Sequence, residues 1–308
     1  MKKGYVLYNS AAGEGGTEES FSFLDFVLDG KFIYLEISRI RNFRVFLEGL
    51  AKDDLLILCG GDGTLNRFVN ETDLASFEGE ILYYPCGTGN DFAADLGHSK
   101  GCDPFPVKKY LTDLPCVTVK GKTLRFINGV GFGIDGYCCE KGDRIKGAAA
   151  EKGKKKPKIN YAAIAVSGLL FHFQPVNATV TVDGKRFSHQ RVWLAPTMHG
   201  RCYGGGMIPT PKQDRTEGGT LSLMVFGGAG KLRTLGIFPS IFKGTHVLHS
   251  DAVHIYTGKS ITVSFDRPTP LQIDGETVSE VTSYTAFVPE KKEPSEREIA
   301  EKACALFR

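Results

Sequence analysis

The chain has 308 residues, 42% of them hydrophobic and 24% charged, with a formal net charge of +3. That length exceeds one small core and suits two domains, and so slight a positive charge does not by itself imply a nucleic-acid partner, so none is expected. No apolar run approaches the roughly 20 residues that a membrane-spanning helix needs.

The first part of the chain alternates. Residues 5–8 read as a strand that breaks at Asn9, too short for a signal-peptide core. Residues 17–28 read as a helix with an apolar face at Phe21, Leu24 and Leu28. A strand over 32–36, a helix over 41–50, a strand over 55–59 and a helix over 65–70 follow. A strand over 81–84 and a helix over 91–96 complete the series. This alternation predicts a parallel sheet covered by helices on both faces, a doubly wound α/β domain. Ligands of such sheets bind at the carboxyl ends of the strands.

From about residue 124 the pattern turns to β-type segments. Residues 176–182 and 185–187 flank Asp183-Gly184 and read as a hairpin with a tight turn. Further strands are expected over 192–197, 220–226, 253–257, 260–265, 271–273 and 283–288, with one helix at 160–173. The expectation is an antiparallel β-sandwich, which divides the chain into a 1–125 α/β domain and a 126–290 sandwich domain. Residues 294–308 read as a final helix, capped by Ser295 with Glu298 three residues on. The eight cysteines include no Cys-x-x-Cys pair, so neither a zinc site nor a disulfide framework is indicated. With no export signal, the expected compartment is a reducing cytoplasm.

Three glycine-bearing loops fall at expected strand ends: Asn9 to Gly16, Gly60 to Thr64, and Gly87 to Asp91. Glycine lets the backbone approach a bulky anion, and the helix that follows turns its free N–H groups and dipole toward it. Two loops with an aspartate among the glycines, Asp62 and Asp91, point to a nucleotide phosphate with its metal. Asp62 is too short and too close to those phosphates to be tolerated without a cation; the plainer alternative makes it a turn residue or helix cap.

Gly60-Gly61-Asp62-Gly63-Thr64-Leu65-Asn66 together with Pro85-x-Gly87-Thr88-Gly89-Asn90-Asp91 resembles the diacylglycerol kinase catalytic family, which includes sphingosine and ceramide kinases and bacterial soluble lipid kinases. Asn9-Ser10-Ala11-Ala12-Gly13 resembles its first loop, with serine where proline is usual. Asn128-Gly129-Val130-Gly131-Phe132-Gly133-Ile134-Asp135 resembles its hinge, and Leu271-Gln272-Ile273-Asp274-Gly275-Glu276 its Asp-Gly-Glu motif.

The resemblance implies an ATP-dependent lipid kinase using Mg²⁺, with diacylglycerol as the commonest acceptor. It implies that Gly60, Gly61, Gly63, Gly87, Thr88, Gly89 and Asn90 surround the triphosphate, with Asn9 and Thr64 on phosphate or ribose oxygens. Thr64 also reads as a cap of the helix from Leu65. Asn66 belongs to the motif without an assigned contact. Asp62 and Asp91 would face the metal, although Asp91 also reads as a simple helix cap. Asp274 would accept the hydroxyl proton, with Glu276 holding or tuning it. The competing reading of Asp274-Gly275 is a hairpin turn like Asp183-Gly184. Gly204-Gly205-Gly206-Met207 resembles a segment beside the acceptor, and reads equally as a merely flexible loop. In some members an Asp-Gly-x-Leu segment binds a second, structural Mg²⁺; here Gly218 stands at that aspartate, leaving Asp214 or Glu217 as substitutes. The tail helix would return to pack on the first domain.

The 141–158 segment is basic, carrying Lys141, Arg144, Lys146, Lys152, Lys154, Lys155, Lys156 and Lys158. It suits an anionic membrane surface, and equally a solvated loop before a core helix. The lipid substrate would be met there by peripheral association, and a homodimer through a sandwich edge is compatible with the pattern. Two alternatives stay open: another small-molecule kinase on the same nucleotide fold, such as an NAD kinase-like protein, and a nucleotide-binding regulator without turnover.

Overall fold

The computed structural model describes residues 3–10, 13, 16–74, 77–152, 157, 159–217 and 219–290. The first sheet consists of β1 (Gly4–Tyr8), β2 (Phe32–Glu36), β3 (Leu55–Gly60), β4 (Glu80–Pro85) and the short β5 (Phe105–Pro106), in the order β2-β1-β3-β4-β5. β1 to β4 are parallel, and β5 joins antiparallel. Side chains alternate across this sheet. Val6, Ile57, Cys59 and Leu82 face Phe21 and Leu24, which belong to α1 (Glu18–Phe21) and α2 (Phe23–Val27). Leu7, Leu56, Leu58, Ile81 and Tyr83 pack on the opposite side. There they meet α3 (Phe43–Glu48), α4 (Asp62–Glu71), α5 (Asp91–Asp95) and α6 (Lys108–Leu111). The doubly wound expectation therefore holds. The helix expected over 17–28 is split at Ser22, whose hydroxyl donates to Glu19 O at 2.9 Å and competes with helix continuation.

The second sheet is antiparallel. It contains β6 (Cys116–Val119), β7 (Lys122–Arg125), β8 (Gly129–Gly133), β9 (Val176–Val182), β10 (Lys185–Val192), β11 (Leu194–Met198), β12 (Leu221–Phe226), β13 (Val253–Gly258), β14 (Ser260–Ile273) and β15 (Glu276–Phe287). β14 is long enough to serve two neighbours. Its first half pairs with β9 and its last residues with β8, with register shifts between them that bend the strand. The bend folds the sheet over one core that includes Phe132, Val180, Leu223, Ile261 and Tyr284. β6 and β7 lie within residues 116–125 yet pair with this sheet through β15. The second layer thus begins at Cys116, earlier than the expected division, because the Lys120-Gly121 turn supplies two left-handed residues and closes a hairpin.

Three helices cover the outer face of β11 and β12: α7 (Ile134–Glu151), α8 (Tyr161–Ser167) and α9 (Lys231–Ile237). The sequence pattern anticipates neither α7 nor α9. α7 contains three glycines, which lowers its intrinsic propensity. One of them, Gly136, lies where a Cβ would stand 1.9 Å from Pro270 O, so the glycine lets helix and strand touch. The helix expected over 160–173 exists as α8 followed by a π turn at Gly168–His172. Among the described residues no helix is long and apolar enough to cross a membrane. The expected tail helix 294–308 lies outside the described residues.

Candidate active site

The strand ends β1, β3 and β4 deliver the three glycine loops to one place. Gly61 and Gly87 meet backbone to backbone: a Cβ on Gly87 would sit 2.4 Å from Gly61 Cα. Gly13, at φ +59, lies where a Cβ would come 2.2 Å from Cys86 O. At these positions a side chain has no room. α4 begins at Asp62 rather than at Leu65, with Gly61 as its N-cap. Thr64 is therefore not the cap. It is 5% exposed, and its Oγ1 accepts from Asn9 Nδ2 at 2.9 Å, tying the first loop to the helix. Asn90 adopts the left-handed conformation, and its side chain exchanges two 2.9 Å bonds with the Gly87 backbone. Its amide shapes the second loop from within, while Thr88 and Gly89 stand exposed.

Three carboxylates converge behind these loops. Asp62 caps not its own helix but α5, accepting the Asp91 and Phe92 N–H groups at 2.9 Å each and the Asn128 amide at 3.1 Å. Asp91 opens α5 and accepts the N–H groups of Gly205 and Gly206 from the second domain. Burial, then the neighbouring Asp62 charge, pushes its carboxyl up to about 6. Gly204, Gly205 and Gly206 all have positive φ, which lets successive amides point at one carboxylate.

Asp274 sits in a left-handed turn with Gly275, in the same backbone state as Asp183 with Gly184. The two aspartates differ in what they hold. Asp183 accepts the Lys259 and Ser260 N–H groups at the surface. Asp274 accepts the N–H groups of Ile127, Asn128 and Gly129 and, from the first domain, the Asn66 amide at 2.8 Å. Burial raises its pKa against the pull of those four donors. Glu276 stands exposed at the edge of the same cavity.

That cavity has a volume of about 1040 Å³. One end is lined by Asn9, Gly13, Gly61 to Thr64, Gly87 to Gly89 and Asp91. The other is lined by Ile134, Ala165, Leu194, Met207, Phe238 and Phe242, and Asp274 lines the same cavity. Two functional candidates escaped the sequence reading although they bound its hinge motif. Asn128 bridges to Asp62. Asp135 lines the cavity and accepts from Gln272 Nε2 at 2.9 Å, and burial pushes its carboxyl up to about 7. Gly131 leaves room for it: a Cβ there would overlap Asp135 Oδ2.

Asp214 and Glu217 do not converge. Asp214 is turned back onto Thr216, whose N–H and hydroxyl it accepts at 2.7 Å, and Glu217 is exposed. Among the described residues no group of three or more His, Cys, Asp or Glu forms a metal cluster. Of the basic segment, Arg144 and Lys146 lie on α7 and pair with Glu140 and Asp143 at 3.2 Å each. Lys154, Lys155, Lys156 and Lys158 lie outside the described residues.

Residues 3–111 match the diacylglycerol kinase catalytic domain model, and residues 130–292 match the YegS C-terminal NAD kinase beta sandwich-like domain. A diacylglycerol kinase of Mycobacterium tuberculosis (strain CDC 1551 / Oshkosh) is 25% identical over 218 residues, which cover 68% of this chain and 66% of that protein. The chain thus spans just under two thirds of the length of that relative. The crystal structure of a diacylglycerol kinase from Bacillus anthracis str. Sterne aligns with a TM-score of 0.58 and 18% identity over 94% of this chain and 98% of that one, a likeness of fold. The chain belongs to the family that joins a diacylglycerol kinase catalytic domain to a YegS-type C-terminal sandwich.

Proposed function

We propose that the protein is an ATP-dependent lipid kinase that moves the γ-phosphoryl group to a lipid hydroxyl, with diacylglycerol, giving phosphatidic acid, as the leading acceptor. The observation that carries this reading is the single cavity with glycine loops at one end and apolar side chains at the other. A small polar acceptor would have no use for the Leu194, Phe238 and Phe242 wall, which favours a lipid over a nicotinamide nucleotide.

The nucleotide end supplies the start of α4, where the Asp62 and Gly63 N–H groups have no partner among the described residues. Backbone amides and a helix dipole there suit phosphate oxygens. The Asp62 and Asp91 carboxylates also fit a divalent cation: a Cβ on Gly89 would lie 3.4 Å from Asp91 Oδ2 and 3.6 Å from Asp62 Oδ2, so both face the space that glycine leaves open. Two carboxylates completed by phosphate oxygens and water are an ordinary Mg²⁺ environment. Bound there, Mg²⁺ would offset triphosphate charge.

Asp274 is the proton acceptor in this reading. Three of its four donors are backbone amides at and just before the start of β8, and only Asn66 is a side chain able to swing away. Its departure would open Oδ2 to the acceptor hydroxyl. A carboxylate suffices as base because the proton leaves late, as charge builds on the attacking oxygen.

The acceptor would reach the cavity from a membrane surface. Tyr161 and Phe242 both line the cavity and are exposed, at 40% and 42%. Phe171, Leu232 and Leu248, on the neighbouring helical segments, are 72%, 81% and 79% exposed. An apolar rim of this kind suits insertion at a lipid interface. Incubation of the protein with labelled ATP, Mg²⁺ and total lipid, with the product identified by mass, tests the proposal. Label in a phosphorylated lipid supports it; label only in a water-soluble product, or none in any, sinks it.

A further inference from the structure

The structural Mg²⁺ that the family resemblance brings into view does not fit the residues of the 214–217 turn, where Asp214 bonds its own Thr216 and Glu217 points outward. Between them Arg215 turns inward. Its side chain is 1% exposed and forms an ion pair with Asp95 of α5, itself 3% exposed. Its guanidinium also donates to Ile127 O at 3.2 Å and to Asn128 Oδ1 at 2.9 Å, and it stacks over Phe92 at 4.8 Å. The slot is built for it: a Cβ on Gly200 would stand 2.0 Å from Arg215 Nη2 and 2.5 Å from Asp95 Oδ2. From Asn128 the contacts continue to Asp62, which receives the Asn128 amide at 3.1 Å.

We infer that Arg215 is the buried cation of this interdomain joint, beside the half-exposed Arg201 that pairs with Asp95 at 3.1 Å, and that it stands in for a structural metal and orients Asp62 through Asn128. A planar fork with five donors can hold Asp95, Asn128 and a carbonyl at once, which a lysine ammonium cannot reproduce. Arg215 is a positioning residue, since it touches no reacting atom. The kinetic part of this inference rests on the lipid kinase reading, whereas the stability part stands without it.

The first experiment follows thermal unfolding of the nucleotide-free full-length protein with chelator and with excess Mg²⁺, beside the Asp214→Asn/Glu217→Gln variant. Any Mg²⁺-induced rise in Tm should be equal in the two proteins. A rise in the parent that the variant lacks would place a metal at the turn and overturn the inference. The second uses Arg215→Met. Its Tm should fall by roughly 10 °C, and kcat by about 100-fold with little change in KM for ATP, as misplacement of a catalytic group predicts. Neither added Mg²⁺ nor Arg215→Lys should restore kcat, and Arg215→Met/Asn128→Ala should be no slower than the slower single variant. Full rescue by lysine, additive losses or an unchanged kcat would each refute the positioning role. Should Arg215→Met fail to fold, Gly200→Ala takes its place in the kinetic comparison. If the parent itself transfers no phosphate, the kinase reading fails while the unfolding comparison still decides the cation.

Discussion

Asn66 Nδ2 donates to Asp274 Oδ2 at 2.8 Å across 208 residues, joining the helix behind the 60–64 loop to the strand end of the other domain. The bond gives Asn66 a role that the motif alone left blank, and it makes Asp274 the most contacted carboxylate of the cleft. Asp274→Asn should lower kcat by about 10³-fold, within the range for loss of a general base. ATP binding by calorimetry should persist. Asp183→Asn, at the matching turn on the surface, should leave kcat within error of the parent. Equal losses in both variants would reduce Asp274 to a turn residue.

Asp62 joins the 60–64 and 87–91 loops, since the Asp91 and Phe92 N–H groups that it accepts stand at the end of the second. Asp62→Asn keeps an acceptor for them and removes the charge; Asp62→Ala removes both. Loss of a cap costs about 1 kcal/mol, so Asp62→Ala should unfold at lower denaturant concentration than Asp62→Asn. Activity should fall by at least about 10²-fold in both, because each removes a carboxylate that would hold Mg²⁺ in the proposed site. An active Asp62→Asn protein would leave Asp62 with the capping role alone.

Asp135 predicts a pH dependence of stability. Burial moves its carboxyl from 3.8 to about 7, so the folded protein binds that proton more tightly than the unfolded chain. The stability it supplies is full below pH 3.8 and is lost as pH rises through about 7. Asp135→Asn can still accept from Gln272 but does not titrate. Denaturant titrations of both proteins should therefore show the parent losing ground to the variant across that window, by at most about 4 kcal/mol. Asp135 lines a cavity that admits water, which makes the measured change smaller. Parallel curves for the two proteins would remove Asp135 as a buried titrating group.

The exposed apolar rim predicts a separation of lipid and nucleotide functions. Phe171→Ser combined with Leu248→Ser removes two side chains worth up to about 2 kcal/mol each on burial, so binding to anionic vesicles in sedimentation should weaken at least tenfold while ATP affinity stays unchanged. Removal of residues 152–158 should weaken the same binding through charge, at about 1 kcal/mol per lysine near the lipid. Vesicle binding unaffected by either change would detach the rim from the membrane.

Local signals made the first domain readable. Strand and helix periods alternate there, and each glycine loop follows a buried strand, so hydrophobic patterning and turn chemistry agreed. The same signals failed at α7, where three glycines weaken the helix period, and at the β6–β7 hairpin, which joins its sheet only through β15, far along the chain. Asp274 and Asp183 show the limit most directly. Both occupy an Asp-Gly turn with the same backbone state, and only long-range packing directs one carboxylate to the 127–129 amides and the other to the 259–260 amides. Residue identity set which groups could carry charge, bend the chain or admit a phosphate. Which of them face one another was decided by β14, whose bend carries Asp274 to α4, and by the buried Asp95–Arg215 pair, because such contacts depend on how two separately formed layers meet.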